Sequence, residues 1–284
     1  MKNVTPSVKA KLQSLARKEG LSLQLILIRY FQERLLYRLS ESIYRDSFVL
    51  KGGALIYAIG GIKTRFTKDL DFLSKDKIKS QNKLQKIIRQ IVSMPYPADG
   101  VDFDSQSIET ETIAAQNKYP GFRLHIEASL GNIKQRVQLD FGFDDVTVPD
   151  PQELKYPVLI EGFEHPVILA YSPETIIAEK LQAMIELSGI NSRMKDFFDV
   201  YCLLNDQKLD KTALHDAIKA TFENRKTIIS KDHELFSDEF GKEESRLKMW
   251  QAFLKKADVR KDLDYSSVIN LIREILIPLL HDNQ

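Results

Sequence analysis

Two aspartates one residue apart, Asp69 and Asp71, are the first groups in the chain able to do chemistry. In a strand, residues i and i+2 project to one face, so these carboxylates point together while Leu70 and Phe72 enter the core. Paired carboxylates repel, and a hard divalent cation between them relieves the repulsion. Mg²⁺ held by one or two carboxylates plus substrate phosphates is a common form of such a site. A solvated strand end is the plain alternative. Upstream, a short apolar run, Phe48 to Leu50, enters Lys51-Gly52-Gly53 and then a helix. Glycines there allow phosphates to approach backbone N–H groups at a helix N-terminus. Together the two features describe a site for a nucleoside triphosphate and its metal.

A third carboxylate lies downstream. Phe122, Leu124, Ile126, Ala128 and Leu130 alternate with polar residues, Gly131-Asn132 supplies a two-residue turn, and Val137, Leu139, Phe141 and Phe143 alternate on the return. Asp140 has the opposite parity to that apolar set and falls opposite Arg123. Read alone it is half of a salt bridge on an exposed sheet face. Read with Asp69 and Asp71 it completes a triad able to hold a metal and activate a hydroxyl.

Further on, Ile176, Lys180, Met184 and Leu187 share one helical stripe, so Lys180 must snorkel to an edge or meet an anion. In the following helix Met194, Phe197, Phe198, Val200, Tyr201 and Leu204 form an apolar side. Lys195, Asp196 and Asp199 cluster opposite, where a solvated face with a Lys195–Asp199 pair is the plain reading. Asp199 could instead orient Arg193 or Lys195.

The elements that position these groups follow from periodicity. Helices are expected from about Ser7 to Tyr44, interrupted at Gly20, then from Ala54 to Ile59 and from Lys83 to Val92. Strands are expected at Phe48–Leu50, Asp69–Leu73 and in the hairpin. The proline-rich stretch 144–173 reads as loop with one short strand near Val167 to Ala170, and everything after Ser172 reads as helical. The fold class is therefore α+β. Residues 1–45 are N-terminal helices packed on the core, 46–170 a mixed-sheet core, and 171–284 a C-terminal helical domain.

Composition narrows the function. Lys plus Arg is 41 and Asp plus Glu 40, giving a net charge of +1, so the chain is no strongly basic nucleic-acid coat. Its single cysteine, Cys202, excludes an internal disulfide framework and a cysteine-rich zinc site. No run approaches the length of a membrane span or a signal-peptide core, so a cytoplasmic protein with no membrane partner is expected. The five histidines lack ligand spacing, no Walker A or Gly-x-Ser-x-Gly motif occurs, and Trp250 reads as packing.

The run Phe48-Val49-Leu50-Lys51-Gly52-Gly53-Ala54-Leu55, with Arg65-x-Thr67-x-Asp69-x-Asp71 after it, resembles the first motif of the AbiEii/AbiGii toxin family. These are bacterial nucleotidyltransferase-like proteins of the DNA polymerase β-type superfamily. The resemblance continues through Leu139-Asp140-Phe141, Glu179-Lys180-Leu181-Gln182-Ala183 and Arg193-x-Lys195-Asp196-x-x-Asp199-Val200-Tyr201. The interval 54–68 is longer than the general superfamily spacing and fits the toxin branch.

The resemblance implies a nucleotidyltransferase-type core and a site of named residues. Asp69, Asp71 and Asp140 would be catalytic and hold Mg²⁺ or Mn²⁺. Lys180 and Asp196 would also be catalytic, and Gly52, Gly53, Arg65, Thr67, Lys180 and Lys195 would bind the nucleotide. It further implies NTP as substrate, an RNA acceptor with tRNA 3′ ends foremost, and a separately encoded antitoxin in a phage-defence pair. A basic N-terminal segment, Lys9, Lys11, Arg17, Lys18, Arg29, Arg34, Arg38 and Arg45, could follow an RNA backbone or be ordinary helix surface. The alternatives are a nucleotide-binding regulatory protein without transfer, or transfer to a protein or small molecule.

Overall fold

A computed structural model of the chain describes residues 4–61, 64–75, 78, 80–113, 121–187, 193–206, 208–228, 230, 232–259 and 262–281. The chain divides into two units. The first comprises Met1–Ala58, Phe66–Asp144 and Gln152–Ala170; the second comprises Ile59–Arg65, Asp145–Pro151 and Tyr171–Gln284.

The first unit begins with α1 (Thr5–Glu19), which has a proline in its first turn, ends at Gly20 with φ 67°, and buries Val8, Leu12 and Ala16. Ser22 caps α2 (Leu23–Ser40) by accepting the Leu25 N–H. Then come β1 (Phe48–Lys51), α3 (Gly52–Gly60), β2 (Asp69–Ser74) and α4 (Gln81–Val92), whose apolar face is Leu84, Ile87, Ile88 and Ile91. Strands β3 (Val101–Phe103), β4 (Glu109–Ile113), β5 (Gly121–Leu130), β6 (Ile133–Gly142), β7 (Gln152–Lys155) and β8 (Val167–Ala170) complete it.

The strand order is β3-β5-β6-β2-β1-β8-β7, with β4 also on β5. The pairs β2–β6 and β1–β8 are parallel and the others antiparallel, so the sheet is mixed and the class is α+β. Phe48, Phe72 and Phe141 pack across β1, β2 and β6 with centroids 5.2–6.2 Å apart, Phe72 stacked on Phe141 and Phe48 edge-on to both.

Three strands escape the sequence reading for one physical reason. β3 has three residues, and β4 (ETETI) and β7 (QELK) are short polar strands with no apolar alternation to announce them. Sheet pairing, supplied by β5 and β8, makes them strands.

The basic N-terminal segment also needs correction. Arg29, Arg34 and Arg38 are buried and cannot follow a phosphate backbone. Arg38 pairs with buried Asp99 at 2.8 Å and donates to the Val101 carbonyl. Arg34 pairs with Glu33 at 2.7 Å, and the Arg29 guanidinium lies 4.2 Å over the Tyr57 ring. Arg45 pairs with Glu153. Among that set, Lys11, Arg17 and Lys18 on α1 are the exposed ones.

Burial pushes the Glu33 carboxyl up to about 7, against the pull of Arg34 and of the Leu159 N–H, which it accepts at 2.7 Å. The fold thus favours the protonated form. Its stabilisation is complete below the unfolded value near 4.5 and is lost as pH rises through about 7. Between pH 5 and 8 the wild-type protein should lose about 2–3 kcal/mol more stability than Glu33→Gln. Urea unfolding across that range measures the difference, and parallel curves would refute it.

The second unit is helical: α5 (Pro173–Leu187), α6 (Met194–Asp206), α7 (Lys211–Arg225), α8 (Glu244–Ala257) and α9 (Tyr265–His281). α5 packs on α6 and α7, and α6 on α8 and α9. Trp250 is fully buried and donates its indole N–H to the Leu263 carbonyl at 2.7 Å, which is the packing role expected of it. Among the described residues, no helix is long and apolar enough to cross a membrane.

Candidate active site

The first unit gathers the three aspartates. Antiparallel pairing sets Lys51 opposite Asp71, and parallel pairing sets Asp71 beside Asp140 and Asp69 beside Gln138. Leu70 and Phe72 point inward, so Asp69 and Asp71 share the other face with Asp140. One carboxylate oxygen from each lies within 4.8 Å of the others, and all three side chains are half-buried. Such a set of hard oxygen donors, carrying three negative charges, fits a small divalent cation.

The glycine pair has a tighter purpose than phosphate access alone. Gly52 has φ +68°, and a Cβ there would lie 2.0 Å from Asp71 Oδ2. A Cβ on Gly53 would lie 2.7 Å from the Thr67 Cβ. The start of α3 therefore rests directly against the triad and its neighbouring threonine, and its free N–H groups favour the adjacent negative charge. Gly52→Ala should cost about 1–2 kcal/mol from its left-handed backbone alone. It should also displace the Asp71 carboxylate and lower the chemistry of the triad about a hundredfold. Thermal melting beside an activity assay separates the two effects, and full activity would refute the contact.

Thr67 donates its hydroxyl to Asp69 Oδ1, and Gln32 donates to the Asp69 backbone carbonyl at 3.3 Å. Arg123 grips Asp140 with a two-pronged bond, Nε to Oδ1 at 2.8 Å and Nη2 to Oδ2 at 2.7 Å. Hydrogen bonding to Asp140 raises the Arg123 pKa further, against its partial burial. Gln138 donates to both Asp140 oxygens at 3.2 Å. The hairpin register already placed Arg123 opposite Asp140; the part of Gln138 was missed, although its spacing two before Asp140 puts it on the same face.

The second unit holds Arg65, Lys180, Lys195 and Asp196. Lys180 Nζ bonds Asp196 Oδ1 at 2.8 Å and Asp199 Oδ2 at 2.7 Å, so the anion on its apolar stripe is a pair of aspartates. Arg65 forks onto Asp199, with both bonds 2.6 Å, and Arg193 meets Asp196 at 2.8 Å. Both aspartates are buried, which overturns the solvated-face reading of α6. Asp199 is bonded to Arg65 and Lys180 in place of Lys195, whose side chain is exposed. Burial pulls the Lys180 pKa down, but Asp199 and Asp196 more than offset it and leave it raised. Burial likewise pushes Asp196 up, and Lys180 and Arg193 reverse that to a lowered value.

The neighbouring motif residues join a polar network around Arg225. Glu179 pairs with Arg225 at 3.2 Å, Gln182 accepts from Arg225 at 2.7 Å, and Arg225 also pairs with Asp145 at 2.9 Å. The signal for this network was absent from the local sequence, because Arg225 lies 43 residues beyond Gln182.

A mixed sheet carrying converging aspartates beside a glycine-started helix defines a nucleotidyltransferase-type core, and solved structures share the fold. The crystal structure of JHP933 from Helicobacter pylori is similar with a TM-score of 0.55 at 16% identity, covering 92% of this chain and 94% of that one. A candidate nucleotidyltransferase from H. pylori is similar with a TM-score of 0.53 at 16% identity, covering 92% of this chain and 97% of that one. No curated protein matches the chain. The family described as "Nucleotidyl transferase AbiEii toxin, Type IV TA system" matches residues 34–268, and the chain belongs to it. Membership makes the protein a nucleotidyl transferase of the toxin–antitoxin class and implies a separate antitoxin.

Proposed function

We propose that the protein transfers a nucleotide from an NTP to an RNA acceptor, with the 3′ end of tRNA the expected target, in a Mg²⁺-dependent reaction that blocks translation until an antitoxin restrains it. Action inside the cytoplasm and a part in phage defence belong to the same reading. The observation that carries it is the convergence of Asp69, Asp71 and Asp140 on one sheet face at the start of α3.

Asp69 and Asp71 would hold the cation, with Asp140 as the third ligand. When bound, the cation supplies charge stabilisation at the α-phosphate and the leaving pyrophosphate. Thr67 fixes the Asp69 carboxylate through its hydroxyl. The N–H groups at Gly52 and Gly53, at the start of α3, would donate to phosphate oxygens. Asp140 also positions the acceptor hydroxyl for in-line attack. Lys180 and Asp196 take part in catalysis, as the family motif implies, while Arg65 and Lys195 serve the nucleotide.

A second reading keeps the chemistry and changes the acceptor to a protein or small molecule. The burial of Arg29, Arg34 and Arg38 favours retaining it, because that burial removes three of the eight basic residues that pointed to RNA. The regulatory reading is weaker, since pure binding has no need of three converging carboxylates. Incubation with each α-phosphate-labelled NTP, Mg²⁺ and separate RNA, protein and small-molecule pools tests the proposal, with Asp69→Ala as control. Label on tRNA that disappears in Asp69→Ala supports the first reading. Label on another pool selects the second, and no label anywhere contradicts both.

A further inference from the structure

Both oxygens of Asp140 are engaged by protein donors. A carboxylate offers about four lone-pair positions, and Asp140 receives two N–H bonds from Arg123 and a contact shared between both oxygens from the Gln138 amide nitrogen. The Arg123 fork occupies both oxygens, so whichever one faces Asp69 and Asp71 is already bonded to a guanidinium. A cation shared by the three aspartates must therefore displace one of these donors or crowd against a fixed positive charge. The register offers Arg123 somewhere to go. Asp71, Asp140, Arg123 and Glu111 lie in one row across β2, β6, β5 and β4, and Arg123 Nη1 is 3.8 Å from the exposed Glu111 carboxylate.

We infer that Arg123 is the built-in counter-ion of the triad: it neutralises Asp140 in the metal-free protein, competes with the cation for that carboxylate, and so makes metal loading depend on the incoming triphosphate. The fork offsets the charge of one of the three carboxylates, so the triad attracts a divalent ion less strongly than it would without Arg123. The negative charge of a metal-bound triphosphate tips the balance, and Arg123 shifts towards Glu111 as Asp140 turns to the cation. Arg123 is thus a positioning residue that touches neither nucleotide nor metal. The inference rests on the metal reading above and adds the order in which the ligands load.

Mn²⁺ titration of the full chain without nucleotide, followed by electron paramagnetic resonance, is the test. Arg123→Gln should bind Mn²⁺ about tenfold more tightly than wild type, from the loss of one nearby positive charge. Arg123→Lys, which keeps the charge but not the fork, should fall between them. Addition of a non-hydrolysable NTP analogue should tighten Mn²⁺ binding in wild type more than in Arg123→Gln. Should Arg123→Gln fail to fold by circular dichroism, the Arg123→Lys comparison still decides. Binding by Arg123→Gln or Arg123→Lys that is equal to or weaker than wild type, while Asp69→Asn still loses Mn²⁺, overturns the counter-ion role and leaves the metal site standing. If Asp69→Asn/Arg123→Gln binds as tightly as Arg123→Gln, the ion is not at the triad and the metal reading falls as well.

Discussion

Asp71→Asn should fold normally yet transfer nucleotide about a thousandfold more slowly than wild type. The substitution keeps shape and removes a ligand charge from a triad whose oxygens lie within 4.8 Å of one another. Arg123 already pairs with Asp140, and replacing Asp71 lowers the repulsion between the neighbouring Asp69 and Asp71 carboxylates. Without metal, Asp71→Asn should melt no lower than wild type. With Mg²⁺ or Mn²⁺ plus NTP, wild type should gain stability by ligand linkage, and the variant should gain little. Lost activity with preserved metal-free stability is the mark of a working site. A structural pair would show the reverse, with a lower melting temperature and proportionate loss of activity. Wild-type rates from Asp71→Asn would exclude the triad from the reaction.

Lys180→Met should instead show itself first in stability. The lysine bridges Asp196 and Asp199, which are 1% and 0% exposed. Removing one partner from a buried ion cluster leaves uncompensated charge and costs about 3–5 kcal/mol. Arg65 and Arg193 still hold the two aspartates, so the low end of that range applies here. A fall in melting temperature of about 6–10 °C is the expected reading. Lys180→Met/Asp196→Asn should recover part of the stability, because the buried Asp196 charge left with only the more exposed Arg193 is gone, while activity stays lost. Unchanged melting of Lys180→Met would mean that the cluster is solvated. Recovery of activity in the double variant would mean that neither residue acts in catalysis.

The parts of this protein legible in its sequence are those fixed by local periodicity. The alternation in Asp69-Leu70-Asp71-Phe72 put both carboxylates on one face, and the Gly131-Asn132 turn set Asp140 opposite Arg123. Both follow from the two-residue period of a strand and the geometry of a short turn. What escaped depends on partners distant in sequence. Asp199 looked like a surface residue because its partner Arg65 lies 134 positions away. Arg38 looked like an RNA contact because Asp99, which buries with it, is 61 positions away. The helix α2 is enclosed along most of its length, and its buried Arg34 and Arg38 reach loop carbonyls that no helical wheel displays. The contact between Gly52 and Asp71 likewise appears only when β1 and β2 are paired.

Anomalous diffraction from crystals grown with Mn²⁺ and a non-hydrolysable NTP analogue tests the metal-centred account most directly. The account predicts a Mn²⁺ peak about 2.0–2.3 Å from oxygens of Asp69 and Asp71, with Asp140 turned to the same ion and phosphate oxygens at the Gly52–Gly53 backbone. A Mn²⁺ peak elsewhere, or a bound nucleotide away from the start of α3 with the triad still closed on Arg123, would contradict it.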